Sequence, residues 1–123
     1  MSELRVHNFT ISLDGFGTGV GQAPDAPFGH AGERDEWVFA TRFWADMTGA
    51  EGGGTGADHA FAAMHEPGIG AEIMGAGKFG PPGWQDDPEY RGWWGDEPPF
   101  RTPVFVLTHR PRPSIEMKGG TTF

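Results

Sequence analysis

The stretch at residues 70–80, Gly-Ala-Glu-Ile-Met-Gly-Ala-Gly-Lys-Phe-Gly, most limits what this chain can become. Ala71, Ile73 and Met74 open it as a short buried strand over residues 70–75, and Gly75 and Gly77 break that strand. Glycine has no Cβ, so a strand ending in glycines leaves its backbone open to a ligand. Lys78 adds a positive charge just past the opening, which suits a phosphate group cradled by backbone N–H groups. A strand that simply ends in a glycine turn fits the same residues. Gly75, Gly77 and Gly80 also satisfy the spacing G-x-G-x-x-G. That fingerprint requires the third glycine to open a helix whose N-terminus holds a pyrophosphate. Pro81, Pro82 and Gly83 follow instead, a turn signal with no helical apolar period behind it, and the fingerprint fails on its context.

A chain of 123 residues allows one domain. Its 21 glycines and 11 prolines make up about a quarter of the residues, close to the composition of disordered chains. Ten Phe and five Trp are what disordered chains lack, so a globular chain with long glycine-rich loops is expected. The net charge of −8 comes without a basic stripe; the only basic cluster is Arg110 and Arg112 beside His109, which excludes a nucleic-acid partner. With no cysteine, disulfides and thiolate metal sites are excluded, and the cytosol is a suitable compartment. No signal peptide or membrane-spanning run is expected, so a cytoplasmic chain with no membrane partner follows.

Along the chain, residues 4–13 read as a first strand, with Leu4 and Val6 alternating against Arg5 and His7 and β-branched residues after them. Asp14-Gly15 ends it. The glycine-alternating loop at residues 15–21 is either a ligand cover at a strand end or a long hairpin turn. Residues 33–47 take a helical period, in which Trp37, Ala40, Phe43, Trp44 and Met47 form one apolar stripe. Glu33, Asp35 and Glu36 suit its first turn, and Gly49 closes it. Gly52, Gly53 and Gly54 read as a flexible spacer. A second helix is predicted over residues 57–66, with Thr55 and Asp58 spaced as a capping box. His59 and His65 lie six apart and share no helical face, so no metal site is expected, and a hydrolase using His30, His59 and His65 has no spacing in its favour. The loop at residues 80–102 is too long for a compact domain unless its tryptophans anchor it over something. Residues 102–108 predict a strand continuous enough to be buried on both faces. It ends in a second cationic turn, and two parallel strands ending in such turns are how α/β proteins meet ligands. Ile115, Met117 and residues 119–123 read as the start of a further strand.

Ile-Ser-Leu-Asp-Gly at 11–15, Ile-Met-Gly at 73–75 and Pro-Val-Phe-Val-Leu-Thr-His-Arg-Pro at 103–111 occur in that order. Together they resemble the dihydrofolate-reductase-like superfamily, and most closely the reductase domain of the bacterial riboflavin-biosynthesis deaminase–reductases. The resemblance spans essentially the whole chain. It implies a three-layer α/β fold with a central mixed sheet, and hydride transfer from NADPH to a small heterocyclic or sugar-derived substrate. Carried over, Met74, Gly75 and Lys78 would lie on the cofactor's phosphates. Leu107, Thr108, His109 and Arg110 would surround its 2′-phosphate. Asp14, as the proton donor, and Gly15 would border the nicotinamide and substrate. Ala76 stands where relatives carry an arginine, so 2′-phosphate preference would rest on Lys78 and Arg110. The family's second half, with the glycine-rich strand–turn–helix that grips the pyrophosphate, does not follow. The resemblance therefore implies an incomplete domain, or one that completes its sheet with another chain, as in a homodimer. A non-catalytic nucleotide-binding remnant is the alternative.

Overall fold

The computed structural model describes residues 2–6, 11–23, 25–64 and 68–123. A helical group comes first: a 3₁₀ segment at Gly29–Asp35, then α1 (Glu36–Phe39), α2 (Arg42–Thr48) and α3 (Ala57–Ala63). The second group holds β1 (Glu72–Gly75), α4 (Ala76–Phe79) and β2 (Val104–Leu107). The chain is thus mixed helix and strand, an α/β arrangement. Among the described elements, α1, α2 and α3 pack on one another, and α4 alone packs on the strands.

β1 and β2 pair in parallel, with Glu72 opposite Val104, Ile73 opposite Phe105, Met74 opposite Val106 and Gly75 opposite Leu107. Glu72 N donates to Pro103 O on one edge of β2, whereas Val104 N donates to Thr122 O on the other. Thr122 thus lies on the far side of β2 from β1. Residues 115–123 form a tight hairpin in which Ile115 and Phe123 exchange backbone hydrogen bonds, so the predicted further strand turns back on itself.

The core sits under this sheet. Met74, Phe79, Trp84 and Val104 are buried together, and Tyr90, Trp94, Phe100 and Phe123 pack against them. Phe79 is 1% exposed and meets Trp84, Tyr90 and Phe123 edge to face. Burying such a ring contributes about 1.5–3 kcal/mol. The tryptophan-rich loop is therefore anchored as its composition predicts. Thr121, also 1% exposed, ties the C-terminal hairpin to that loop: its hydroxyl accepts from Arg101 N and donates to Pro98 O.

Several sequence expectations are corrected. β2 is not buried on both faces: Val104 is buried, but Phe105 and Leu107 are 61% and 63% exposed. No layer covers that side among the described residues, so the outward positions keep their access to solvent. In the predicted first strand, residues 4–6 and 11–13 form no strand, and Leu4, Val6, Ile11 and Leu13 are exposed; residues 7–10 lie outside the described set. A β-branched pattern makes a strand only where a neighbour accepts its hydrogen bonds.

The predicted helix at residues 33–47 is interrupted at Ala40 and Thr41. There the backbone turns to meet Gly54, whose N donates to Ala40 O and whose O accepts from Arg42 N. Thr41 restarts the helix as an N-cap, its hydroxyl accepting from Trp44 N at 3.2 Å. The glycine spacer is therefore built into the structure: Gly53, at φ +87°, lies so close to Thr41 that a Cβ would come within 2.5 Å of its backbone. Gly49 closes α2 in the left-handed region, as read from the sequence. The capping box is absent; Gly56 caps α3 without a side-chain bond. α3 ends at Ala63, and the predicted residues 65 and 66 lie outside the described set. The loop at residues 15–21 is pinned by Gly19 N to Phe28 O and His30 N to Val20 O.

Candidate functional site

The parallel register sets Gly75 and Leu107 side by side, so the chain leaves both strands at the same edge of the sheet. After β1 it enters α4 directly, with Gly75 as an extended N-cap. The sequence reading expected a glycine turn between Gly75 and Gly80; one turn of helix containing Gly77 stands there, and Gly80 ends it in extended backbone. A Cβ at Gly75 or Gly77 would meet open space, so the backbone there is uncovered and can accept a ligand at close range. Lys78 is exposed in the last turn of α4, and among the described residues its ammonium has no ion-pair partner. Met74 is 4% exposed and faces the core, so only its backbone borders this edge.

After β2, Thr108 Oγ1 accepts from Arg110 N at 3.1 Å and tightens the turn that carries His109. His109 and Arg110 are exposed, and Leu107 points to the uncovered face of the sheet. Arg110 is engaged by Asp86 in a two-pronged ion pair. The guanidinium, through its hydrogen bonds and charge, holds the Asp86 carboxyl below its usual range, and Asp86 raises Arg110 in return. Arg112, read with Arg110 as one basic opening, has a separate role. Its guanidinium donates to the carbonyls of Trp84, Asp87 and Pro88 and lies over the Trp84 ring at 5.6 Å. It clamps the aromatic loop rather than facing the strand ends.

Asp14 and Gly15 occupy an exposed turn of their own. Ser12 Oγ donates to Asp14 Oδ1 at 2.5 Å, and Gly15 N donates to Ser12 O. Among the described residues, no hydrogen bond or ion pair ties Asp14 or Gly15 to β1, α4 or β2. The parallel register thus brings the Gly75–Lys78 turn beside the turn formed by Leu107, Thr108, His109 and Arg110, whereas the polar partner of the Asp14 carboxylate is Ser12 in its own turn.

Sequence reasoning missed Asp86. It lines an open cleft of about 570 Å³ together with Gln85, Arg91, Ser114 and Glu116, beside the Arg110 turn. Nothing local distinguishes this carboxylate from its neighbours in a Pro- and Trp-rich loop. His59, weighed as a metal ligand, accepts from Phe43 N through Nδ1 at 3.1 Å and links α3 to α2.

No protein-family model and no curated protein sequence matches the chain. What the geometry defines is a class: an α/β chain whose two parallel strands end in adjacent glycine-rich and cationic turns.

Proposed function

We propose that the chain binds NADPH across the carboxyl ends of β1 and β2, as the cofactor-binding part of a dihydrofolate-reductase-like enzyme. In this reading the sheet belongs to a three-layer fold with a central mixed sheet, completed by another chain or a second copy, and works in the cytoplasm. Among the described residues no helix is long and apolar enough to cross a membrane. The observation that carries the reading is the register of Gly75 against Leu107, which sets the uncovered glycine backbone beside the Thr108–His109–Arg110 turn. Ligands of open α/β sheets bind at such strand ends.

Gly75 and Ala76 would offer backbone N–H groups to the phosphates and Lys78 a mobile positive charge. Arg110 would exchange Asp86 for the 2′-phosphate, a trade of one charge-assisted pair for another. The cofactor supplies the hydride for a small heterocyclic substrate, as in the riboflavin-biosynthesis reductases, and the protein orients the reactants. Asp14 would supply the proton.

A non-catalytic nucleotide-binding remnant is the second reading. Ala76 in place of an arginine favours it. A fluorescence titration with NADPH and NADH tests whether either reading holds. Saturable binding that prefers NADPH, and that Lys78→Ala weakens, supports the cofactor site; oxidation of bound NADPH by a pteridine or pyrimidine substrate then distinguishes enzyme from remnant. A folded chain that binds neither nucleotide overturns both.

A further inference from the structure

The N-terminus of α2 is held by bonds from several parts of the chain. A helix leaves its first four backbone N–H groups without partners of its own. Here Thr41 N donates to Val38 O and Arg42 N to Gly54 O, while Trp44 N donates to the Thr41 hydroxyl. The remaining donor, Phe43 N, reaches Nδ1 of His59 in α3 at 3.1 Å. Of these acceptors only the imidazole changes charge between about pH 5 and pH 8.

His59 is half-buried, and the bond requires an unprotonated Nδ1, with the ring proton on Nε2. A second proton enters at Nδ1 and sets one donor against another. It also places a positive charge at the positive end of the α2 dipole. The elements packed on α3 are α1 and α2, whose charged groups are Glu36, Arg42 and Asp46, and α3 itself carries Asp58. Among the described residues none of these bonds or pairs with His59, whose ring is tied to Phe43 N.

Loss of this bond acts locally. Among the described apolar side chains of α1, α2 and α3 only Ala45 and Ala62 are buried, far less than around Phe79. None of the three helices packs on α4, β1 or β2. We propose that His59 is a proton-sensitive latch: protonation of Nδ1 breaks the bond to Phe43 and releases α3 from α2, while the aromatic core around Phe79 stays closed. The docking is complete above the imidazole range and is lost as pH falls through it, because only the released state takes up the proton freely.

Hydrogen exchange of the full chain, read by mass spectrometry at about pH 8 and about pH 5, tests this across the imidazole range. Protection of residues 42–48 and 57–63, corrected for the intrinsic exchange rate, is expected to fall about tenfold at the lower pH, as leaving an N–H unpaired does. β1, α4 and β2 are the internal reference and keep their protection. His59→Asn leaves an acceptor near the Nδ1 position that does not titrate, and is expected to hold its protection at both pH values. His59→Phe removes the acceptor and is expected to show the low protection at both. Equal protection of the parent at both pH values, an equal fall in the sheet, or a His59→Asn variant that keeps the parent's pH dependence would overturn the proposal. Should a variant fail to fold, the parent decides: its Phe43 amide resonance is expected to move with the imidazole titration, and a resonance that stays fixed overturns the latch.

Discussion

The indole Nε1 of Trp84 donates a 3.0 Å hydrogen bond to the carbonyl oxygen of Ala76, the first residue of α4. This bond fastens the long aromatic loop to the turn that follows β1. The same oxygen accepts from Gly80 N, so removing the indole does not orphan it. Trp84→Phe is therefore expected to destabilise the fold by about 1–3 kcal/mol, through lost packing on Phe79 and one lost bond. Urea unfolding followed by circular dichroism measures this, and an unchanged midpoint would show that the loop is held elsewhere.

Gly80 and Gly77 are expected to respond in opposite ways to alanine. A Cβ at Gly80 would lie 2.5 Å from Tyr90 Cε1 and 2.9 Å from Trp84 Cγ, both in packed rings. Gly80→Ala is expected to cost about 1–3 kcal/mol by overpacking. Gly77→Ala enters open space inside α4 and is expected to gain up to about 1 kcal/mol from the lost freedom of glycine. If the cofactor approaches this backbone, Gly77→Ala also weakens NADPH binding while the protein melts no lower. Thermal melts and titrations on the same two variants read both effects.

Tyr90 is the chain's single tyrosine, so phenolate absorbance reports it directly. Burial raises its pKa from 10.0 to about 12, and its hydroxyl donates to Phe79 O at 3.3 Å. The folded state therefore holds the proton more tightly than the unfolded state. That contribution to stability is complete below pH 10.0 and is lost as pH rises through about 12. Tyr90→Phe is expected to flatten the fall in stability over that interval; a parent phenol that titrates at its ordinary value would contradict it.

In the proposed cofactor site, Asp86, which pairs with Arg110, would compete with the 2′-phosphate for it. Its carboxyl is held below the usual range by that guanidinium, so it stays charged through neutral pH. Asp86→Asn is expected to tighten NADPH binding several-fold and to leave NADH binding unchanged, because only NADPH carries the 2′-phosphate. Parallel titrations of the two nucleotides test this. Equal gains for both would mean that Arg110 does not read the 2′-phosphate.

Some of this architecture is legible in short windows of sequence. Ile73-Met74 and the run from Val104 to Leu107 are strands because their apolar and β-branched residues suit an extended, half-buried backbone. Gly49 ends α2 because glycine adopts the left-handed turn without strain. The aromatic residues of the Pro-rich loop had to find a core, and Phe79 provides its centre.

The same windows say nothing about partners far along the chain. The helical stripe through Phe43 and Met47 gives no sign that Gly54 will bond to Ala40 and Arg42 and split the helix. Arg110 and Arg112 look alike in sequence, yet one reaches Asp86 and the other three loop carbonyls, because only the folded chain decides which acceptor stands nearby. Likewise the apolar run in β2 cannot reveal that one face stays open. Local pattern determined the strands, turns and anchors, since these depend on backbone sterics and residue shape over a few positions. Tertiary structure decided which charges are engaged, where the helix breaks and which face is covered, since these depend on groups that folding alone brings within a few ångströms.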